Sequence, residues 1–109
     1  MADDSKQAEE KREAALLFSV AEGHLEDDED FDEAQRVGSQ ALALFRRLGD
    51  GEGVTDSLRL VVDAMRLTDL YANRTPMDAT RMAEEELASF KRKEDRRGVA
   101  AMTLSLDYY

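Results

Sequence analysis

A gapless internal repeat with a period of 45 residues is the feature of this sequence that most limits its fold. Residues 33–54 align with residues 78–99, and most apolar positions of one copy fall on apolar positions of the other. The pairs that carry the repeat are Ala34 with Ala79, Val37 with Met82, Leu42 with Leu87, Phe45 with Phe90, Asp50 with Asp95, Gly53 with Gly98 and Val54 with Val99. Such self-similarity is typical of proteins that stack copies of one supersecondary unit.

Each copy has the pattern of a helix, a turn and a second helix. In the first copy the apolar residues recur at the spacing of one helix face, at Ala34, Val37, Ala41, Leu42, Phe45 and Leu48. Both copies then break where Gly and Asp cluster, near residues 49–53 and 94–98. The spacing predicts five helices, over residues 6–23, 31–48, 53–72, 76–93 and 97–109. The predicted fold class is therefore all-α, built from antiparallel helix hairpins.

Both copies also carry a helix-start signal. In the second copy Thr75 is predicted as the N-cap, Pro76 as the first helical residue and Asp78 as the acid three residues after the cap. The first copy has Asp30 and Glu33 at the matching positions. These residues predict that the two first helices of the repeats begin in the same way.

Length and charge limit the domain organisation. The chain has 109 residues, which suits one domain. We divide it into a polar, acidic extension over residues 1–13 and a repeat domain over residues 14–109, about two and a half repeats.

Residues 1–33 hold 13 acids against three bases, and residues 34–109 hold 12 of each. Because this acidity repels phosphates and no basic stripe follows, nucleic acid is not a predicted partner.

The repeat resembles the tetratricopeptide (TPR) family, in its longer-period versions. Those repeats read as Ala, six residues, Ala-Leu, an aromatic, Gly-Asp and a Gly. The matching residues here are Ala34, Ala41, Leu42, Phe45, Gly49, Asp50 and Gly53, and again Ala79, Leu87, Phe90, Asp95 and Gly98. The resemblance covers residues 14–109. It implies a TPR-like α-solenoid whose concave surface, lined mostly by the first helix of each pair, holds peptides or partner proteins.

One polar stripe is the candidate partner-binding site. On the helix predicted over residues 53–72, Asp56, Arg59, Asp63 and Arg66 are spaced three, four and three residues apart. They are the predicted lining of a binding groove. The alternative is a solvated face on which opposite charges form weak ion pairs. The carboxylate clamp of chaperone-binding TPR proteins is not predicted, because Asn73, the one Asn, falls in a loop.

Other polar features do not predict chemistry. The acidic run over residues 26–33 has oxygen ligands suited to Ca²⁺, but it lacks the Gly of an EF-hand loop. We interpret it as a solvated loop whose last acids cap the next helix. Around His24 the sequence indicates no paired nucleophile and no acid positioned for catalysis. Tyr108 and Tyr109 are interpreted as part of the core of the last helix. The chain has no Cys, which excludes disulfides, thiolate metal ligands and a cysteine nucleophile. No catalytic residue, metal site or cofactor is predicted.

These observations favour a non-catalytic protein–protein interaction module or scaffold. The alternative is a constitutive accessory subunit of a larger assembly. By analogy with algal repeat proteins, this assembly is conceivable as a photosynthetic complex of which the chain is a peripheral subunit. A Ca²⁺-binding or enzymatic domain using the acidic loop is the third hypothesis. The predicted partners are proteins, with self-association through exposed end helices as a further expectation.

Localisation is predicted only in outline. No stretch has the 18 or more apolar residues of a membrane span, and the first residues lack a secretory signal. The expected state is therefore soluble and intracellular, with an organelle such as a chloroplast as the alternative if a transit peptide has been removed.

Overall fold

Five α-helices form the fold in the computed structural model, which describes residues 2–107. They are α1 (Ala2–Glu26), α2 (Phe31–Leu48), α3 (Gly51–Tyr71), α4 (Met77–Arg92) and α5 (Arg96–Leu106). No strand is present among these residues. The predicted all-α fold with five helices is confirmed.

The predicted boundaries differ from the observed ones at a few ends. Helix α1 begins earlier than predicted and continues through Gly23 to Glu26, so residues 2–13 are its first half. Thr75 is not a cap, because α4 begins at Met77 and its N-cap position is Pro76, which has no side chain to accept a hydrogen bond. The predicted end of the last helix, with Tyr108 and Tyr109, lies outside the described residues.

Aspartates start three of the helices. The carboxylate of Asp30 accepts a hydrogen bond from the backbone N–H of Glu33 at 3.2 Å, as the sequence predicts. Asp50 and Asp95 cap α3 and α5 in the same way. An N-cap side chain of this kind satisfies a donor that the helix leaves without a partner, and it stabilises the helix by about 1 kcal/mol.

The two copies of the repeat share one turn geometry. The backbone N–H of Asp50 donates to the carbonyl of Phe45 at 3.0 Å, and that of Asp95 donates to Phe90 at 2.9 Å. In each copy the Asp carboxylate then accepts from the glycine three residues later, at 3.0 Å in both. We call this arrangement the Phe–Asp–Gly turn. The alignment found in the sequence therefore corresponds to a repeat in the structure.

The aromatic ring of this turn lies directly on the glycine. A Cβ added to Gly53 would be 2.2 Å from Cδ1 of Phe45, and one added to Gly98 would be 2.2 Å from Cδ1 of Phe90. Any side chain at this position would force the ring to move. Glycine is therefore required at this position by the close approach of the two helices.

The helices pack in chain order, and the odd-numbered ones also touch one another. Each helix contacts the next, α1 contacts α3, and α3 contacts α5. The molecule measures 51 × 34 × 16 Å, so it is about two helices thick. An ion pair of Arg46 with Glu86, at 3.2 Å, links α2 to α4.

The core joins the two repeats. Its largest fully buried side chains are Leu58, Met102 and Val62. The burial of each of them stabilises the folded state by about 1.5–3 kcal/mol. The cluster around them is Leu42, Leu58, Val62, Ala79, Ala83, Phe90, Ala101 and Met102. Two smaller clusters attach α1 to α2 and α3. The polar first half of α1 is held on α2 by the ion pair of Glu10 with Arg47.

Candidate interaction cleft

A cleft of about 430 Å³ lies between α1 and α3. Its lining residues are Phe18, Glu22, Leu25 and Glu26 from α1, and Asp56, Arg59, Leu60 and Asp63 from α3. The cleft forms because the odd-numbered helices touch only over a short length, while α2 lies behind both and contacts each of them. We call it the α1–α3 cleft.

The cleft has an apolar floor and a charged rim. Phe18, Leu25 and Leu60 are half-buried or buried and pack in the small core cluster beneath the cleft. Glu22, Glu26, Asp56 and Arg59 are exposed at the rim, and Asp63 is half-buried. The lining therefore holds four acids against one base.

Three of the four site residues predicted from the sequence line this cleft. Asp56, Arg59 and Asp63 follow one another along its α3 side. Arg66 does not line it. This cleft is also formed by α1 and α3, whereas the resemblance to TPR proteins implied a surface on the first helix of each pair.

Arg66 is buried against α5. It is 2% exposed, so it is not part of a solvated face. Its guanidinium pairs with Asp63 at 2.8 Å and donates to the backbone carbonyl of Ser105 at 3.4 Å. A charge reversal at Arg66 would therefore disturb the contact between α3 and α5, and it cannot serve as a surface test of binding.

The α1 side of the cleft was not predicted as a site. Phe18, Glu22, Leu25 and Glu26 have the spacing of one helix face, and a face with both apolar and acidic residues is the signal that could have identified it. The sequence interpretation placed Glu26 in an acidic loop. Only the packing of α1 beside α3 joins these residues to Asp56 and Arg59.

The acidic run contains local contacts and no metal centre. Within the described residues, no three His, Asp or Glu side chains are placed to hold a metal ion. His24 lies 3.2 Å from the carboxylate of Asp28, one turn further along the chain. Arg36 donates two hydrogen bonds of 2.8 Å to Glu33, and these bonds together with its charge lower the pKa of the Glu33 carboxyl.

Several large apolar side chains are exposed on the two outermost helices. Leu16 and Val20 lie one turn apart on α1 and are 64% and 42% exposed, and Leu104 on α5 is 53% exposed. At the C-terminal end of α3, the ring of Tyr71 packs edge-on against Phe31, with 4.9 Å between the ring centroids. The first and last helices of the described residues therefore each leave apolar surface uncovered.

The chain has no match among protein-family models, curated proteins or solved structures. None of the helices within residues 2–107 combines the length and apolar character needed to cross a bilayer.

Proposed function

We propose that this chain is a non-catalytic protein–protein interaction module built on TPR-like helical repeats. The observation that carries the proposal is the α1–α3 cleft, which combines an apolar floor with exposed charges on a scaffold of packed helices. Protein interfaces commonly have this composition, with an apolar centre and a polar rim.

The rigidity of the scaffold supports the proposal. The Phe–Asp–Gly turns fix α2 to α3 and α4 to α5 with the same hydrogen bonds, so the helix pairs are well-defined units. The cleft lies between α3, which one of these turns fixes to α2, and α1, which packs on α2 and α3 through the two smaller core clusters. It is therefore largely formed before a partner arrives. Pre-organisation of this kind lowers the entropy lost on binding.

A constitutive accessory subunit is the second candidate, and the exposed apolar residues favour it. Leu16, Val20 and Leu104 leave apolar surface on both terminal helices. At the α5 end, however, Thr103 and Asp107 are exposed at the positions that hold Leu58 and Val62 one repeat earlier. These polar side chains make the α5 face less suited to a permanent apolar contact, so such a contact is more strongly indicated at α1.

An affinity pull-down with matched variants tests the proposal. The tagged chain is exposed to its native extract, and the retained proteins are identified by mass spectrometry and sized under native conditions. The cleft variant carries Glu22→Lys and Asp56→Lys. The control carries Glu84→Lys and Glu85→Lys, which make the same charge change on exposed residues of α4. Circular dichroism verifies that both variants remain folded.

We expect wild type and the α4 control to retain the same partners and the cleft variant to lose them. A folded monomer that enriches no protein over the cleft variant would contradict the proposed function. One complex of fixed stoichiometry that survives the cleft variant and is lost with Leu16→Lys would instead identify a constitutive subunit attached through α1.

A further inference from the structure

We propose that the α1–α3 cleft binds a basic amphipathic helix of a partner protein. This inference rests on the proposed interaction function and adds the chemistry of the ligand. It is carried by three features of the cleft, which are its carboxylates, their spacing and the apolar floor between them.

The first feature is carboxylate charge that the chain itself does not neutralise. Within the described residues, Glu22, Glu26 and Asp56 take part in no ion pair, whereas Asp63 pairs with Arg66. Some acids elsewhere on the surface are paired with arginines, for example Glu52 with Arg97 at 3.0 Å. Others within the described residues, such as Glu84 and Glu85 on α4, are exposed without an ion pair but do not line a cleft with an apolar floor. Cations from a partner would therefore find free carboxylates in the cleft.

The second feature is the distance over which these carboxylates are spread. Glu22 and Glu26 are one helical turn apart, about 6 Å. On α3, Asp56 is two turns, about 10 Å, from Asp63, which already pairs with Arg66. They do not converge on one point, in agreement with the lack of a metal-binding group in the described part of the chain. A row of separate cations fits this spacing, and Lys or Arg at positions i, i+4 and i+7 of a helix provides one.

The third feature is the floor. Phe18, Leu25 and Leu60 form an apolar strip between the two acidic rims. A purely basic segment would leave this strip in water. A helix that places apolar side chains beside its basic ones covers the strip and meets the rims at the same time, which is the usual way an amphipathic helix occupies a groove.

The electrostatic field around the cleft favours the same ligand. Residues 1–33 carry a net charge of −10, from 13 acids and three bases, and Glu26 belongs both to the cleft and to the acidic run. Such a field speeds the approach of cationic partners and opposes anionic ones. Arg59 is the one basic side chain of the lining, so it opposes the proposed ligand locally.

Fluorescence anisotropy with designed peptides tests the inference. The probe is a labelled peptide of about 18 residues, roughly five helical turns, made of Ala, Leu and Lys. Its lysines follow the i, i+4, i+7 spacing and its leucines lie on the adjacent face. One control peptide replaces every Lys with Glu. A second has the same composition in an order that is not amphipathic.

We expect the lysine peptide to bind wild type and both control peptides to bind far more weakly. Glu22→Lys with Asp56→Lys should weaken binding by about two- to thirtyfold, since each of the two exposed pairs contributes about 0.2–1 kcal/mol. The α4 control, Glu84→Lys with Glu85→Lys, should leave it nearly unchanged. Arg59→Glu should tighten binding by roughly twofold or more, because it replaces a repelling charge with an attracting one.

Four results would overturn the inference. They are equal loss of binding in the α4 control, tighter binding of the glutamate peptide, weaker binding by Arg59→Glu, and equal binding of the non-amphipathic peptide. A dimer in sedimentation that dissociates with Arg96→Glu would also overturn it, because the basic segment 91–97 of a second copy would then be the occupant. If the peptides fail while the pull-down still loses its partners in the cleft variant, the proposed function survives and only the basic-helix ligand is refuted.

Discussion

Replacing Gly53 with Ala should destabilise this protein, although alanine is normally the better helix former. Gly53 lies in the first turn of α3, directly under the ring of Phe45. The added Cβ would be 2.2, 2.4 and 2.6 Å from three carbons of that ring, all below the roughly 3.0 Å that real Cβ contacts respect. The ring is itself buried in the cluster with Ala14, Ala41 and Leu44, so it has no free space to enter.

The magnitude follows from two opposing effects. Gly→Ala in a helix stabilises by up to about 1 kcal/mol. Forcing an extra carbon into a packed core costs about 1–3 kcal/mol, and three close ring contacts place this site in the upper part of that range. The net expectation is a loss of about 1–2 kcal/mol in the free energy of unfolding. For a domain of this size this corresponds to a decrease in Tm of about 4–10 °C.

Thermal and urea denaturation followed by circular dichroism measure the effect. The control is Gly23→Ala in the last turn of α1, where a Cβ meets nothing within 4 Å, and it should stabilise by up to about 1 kcal/mol. Adding Phe45→Leu to Gly53→Ala should recover part of the loss, because the smaller side chain removes the clash. If Gly53→Ala stabilised the protein as much as the control does, the close approach of ring and glycine would not determine this residue.

Two further predictions concern single residues. Glu94 adopts the left-handed conformation (φ 55°) at the position that is Gly49 (φ 71°) in the first repeat, so Glu94→Gly should raise the free energy of unfolding by about 1 kcal/mol in urea denaturation. Arg36→Gln should raise the lowered pKa of Glu33 toward its ordinary value in an NMR titration. The pKa of Glu33 is lower in the folded state than in the unfolded state, so its contact with Arg36 stabilises the fold at neutral pH. This stabilisation is lost as the pH falls through the folded pKa, and the unfolding free energy of the variant should lack this part of its pH dependence.

The helices were predictable because their signals are local and repeated. Apolar spacing identified all five, and the Asp30 cap was placed correctly. The errors are also local. Gly23 was taken as the end of the first helix, but α1 packs against α2 over most of its length, and this packing outweighs the propensity cost of one glycine. Thr75 matched a capping pattern, yet the helix begins after Pro76.

The cleft was only half predictable because it needs two helices that are distant in the sequence. The α3 residues Asp56, Arg59 and Asp63 stood out as a charged stripe on an otherwise apolar helix. The α1 residues opposite them did not, since spacing along one helix cannot indicate which helix lies beside it. The α1–α3 contact comes from both helices packing on α2, which is a property of the tertiary structure.

The burial of Arg66 was missed although the repeat contains the information. At the α1–α3 joint, Ala21 and Leu60 pack together in one core cluster. Moving each by one repeat gives Arg66 and Ser105, which meet at the α3–α5 joint through a hydrogen bond of 3.4 Å and are both at least 97% buried. Each of these two helix–helix contacts therefore combines one small and one large side chain. The small one comes from the earlier helix in the α1–α3 contact and from the later helix in the α3–α5 contact. Arg66 is therefore buried because of its position in the repeat, and hydropathy along α3 alone assigns it to solvent.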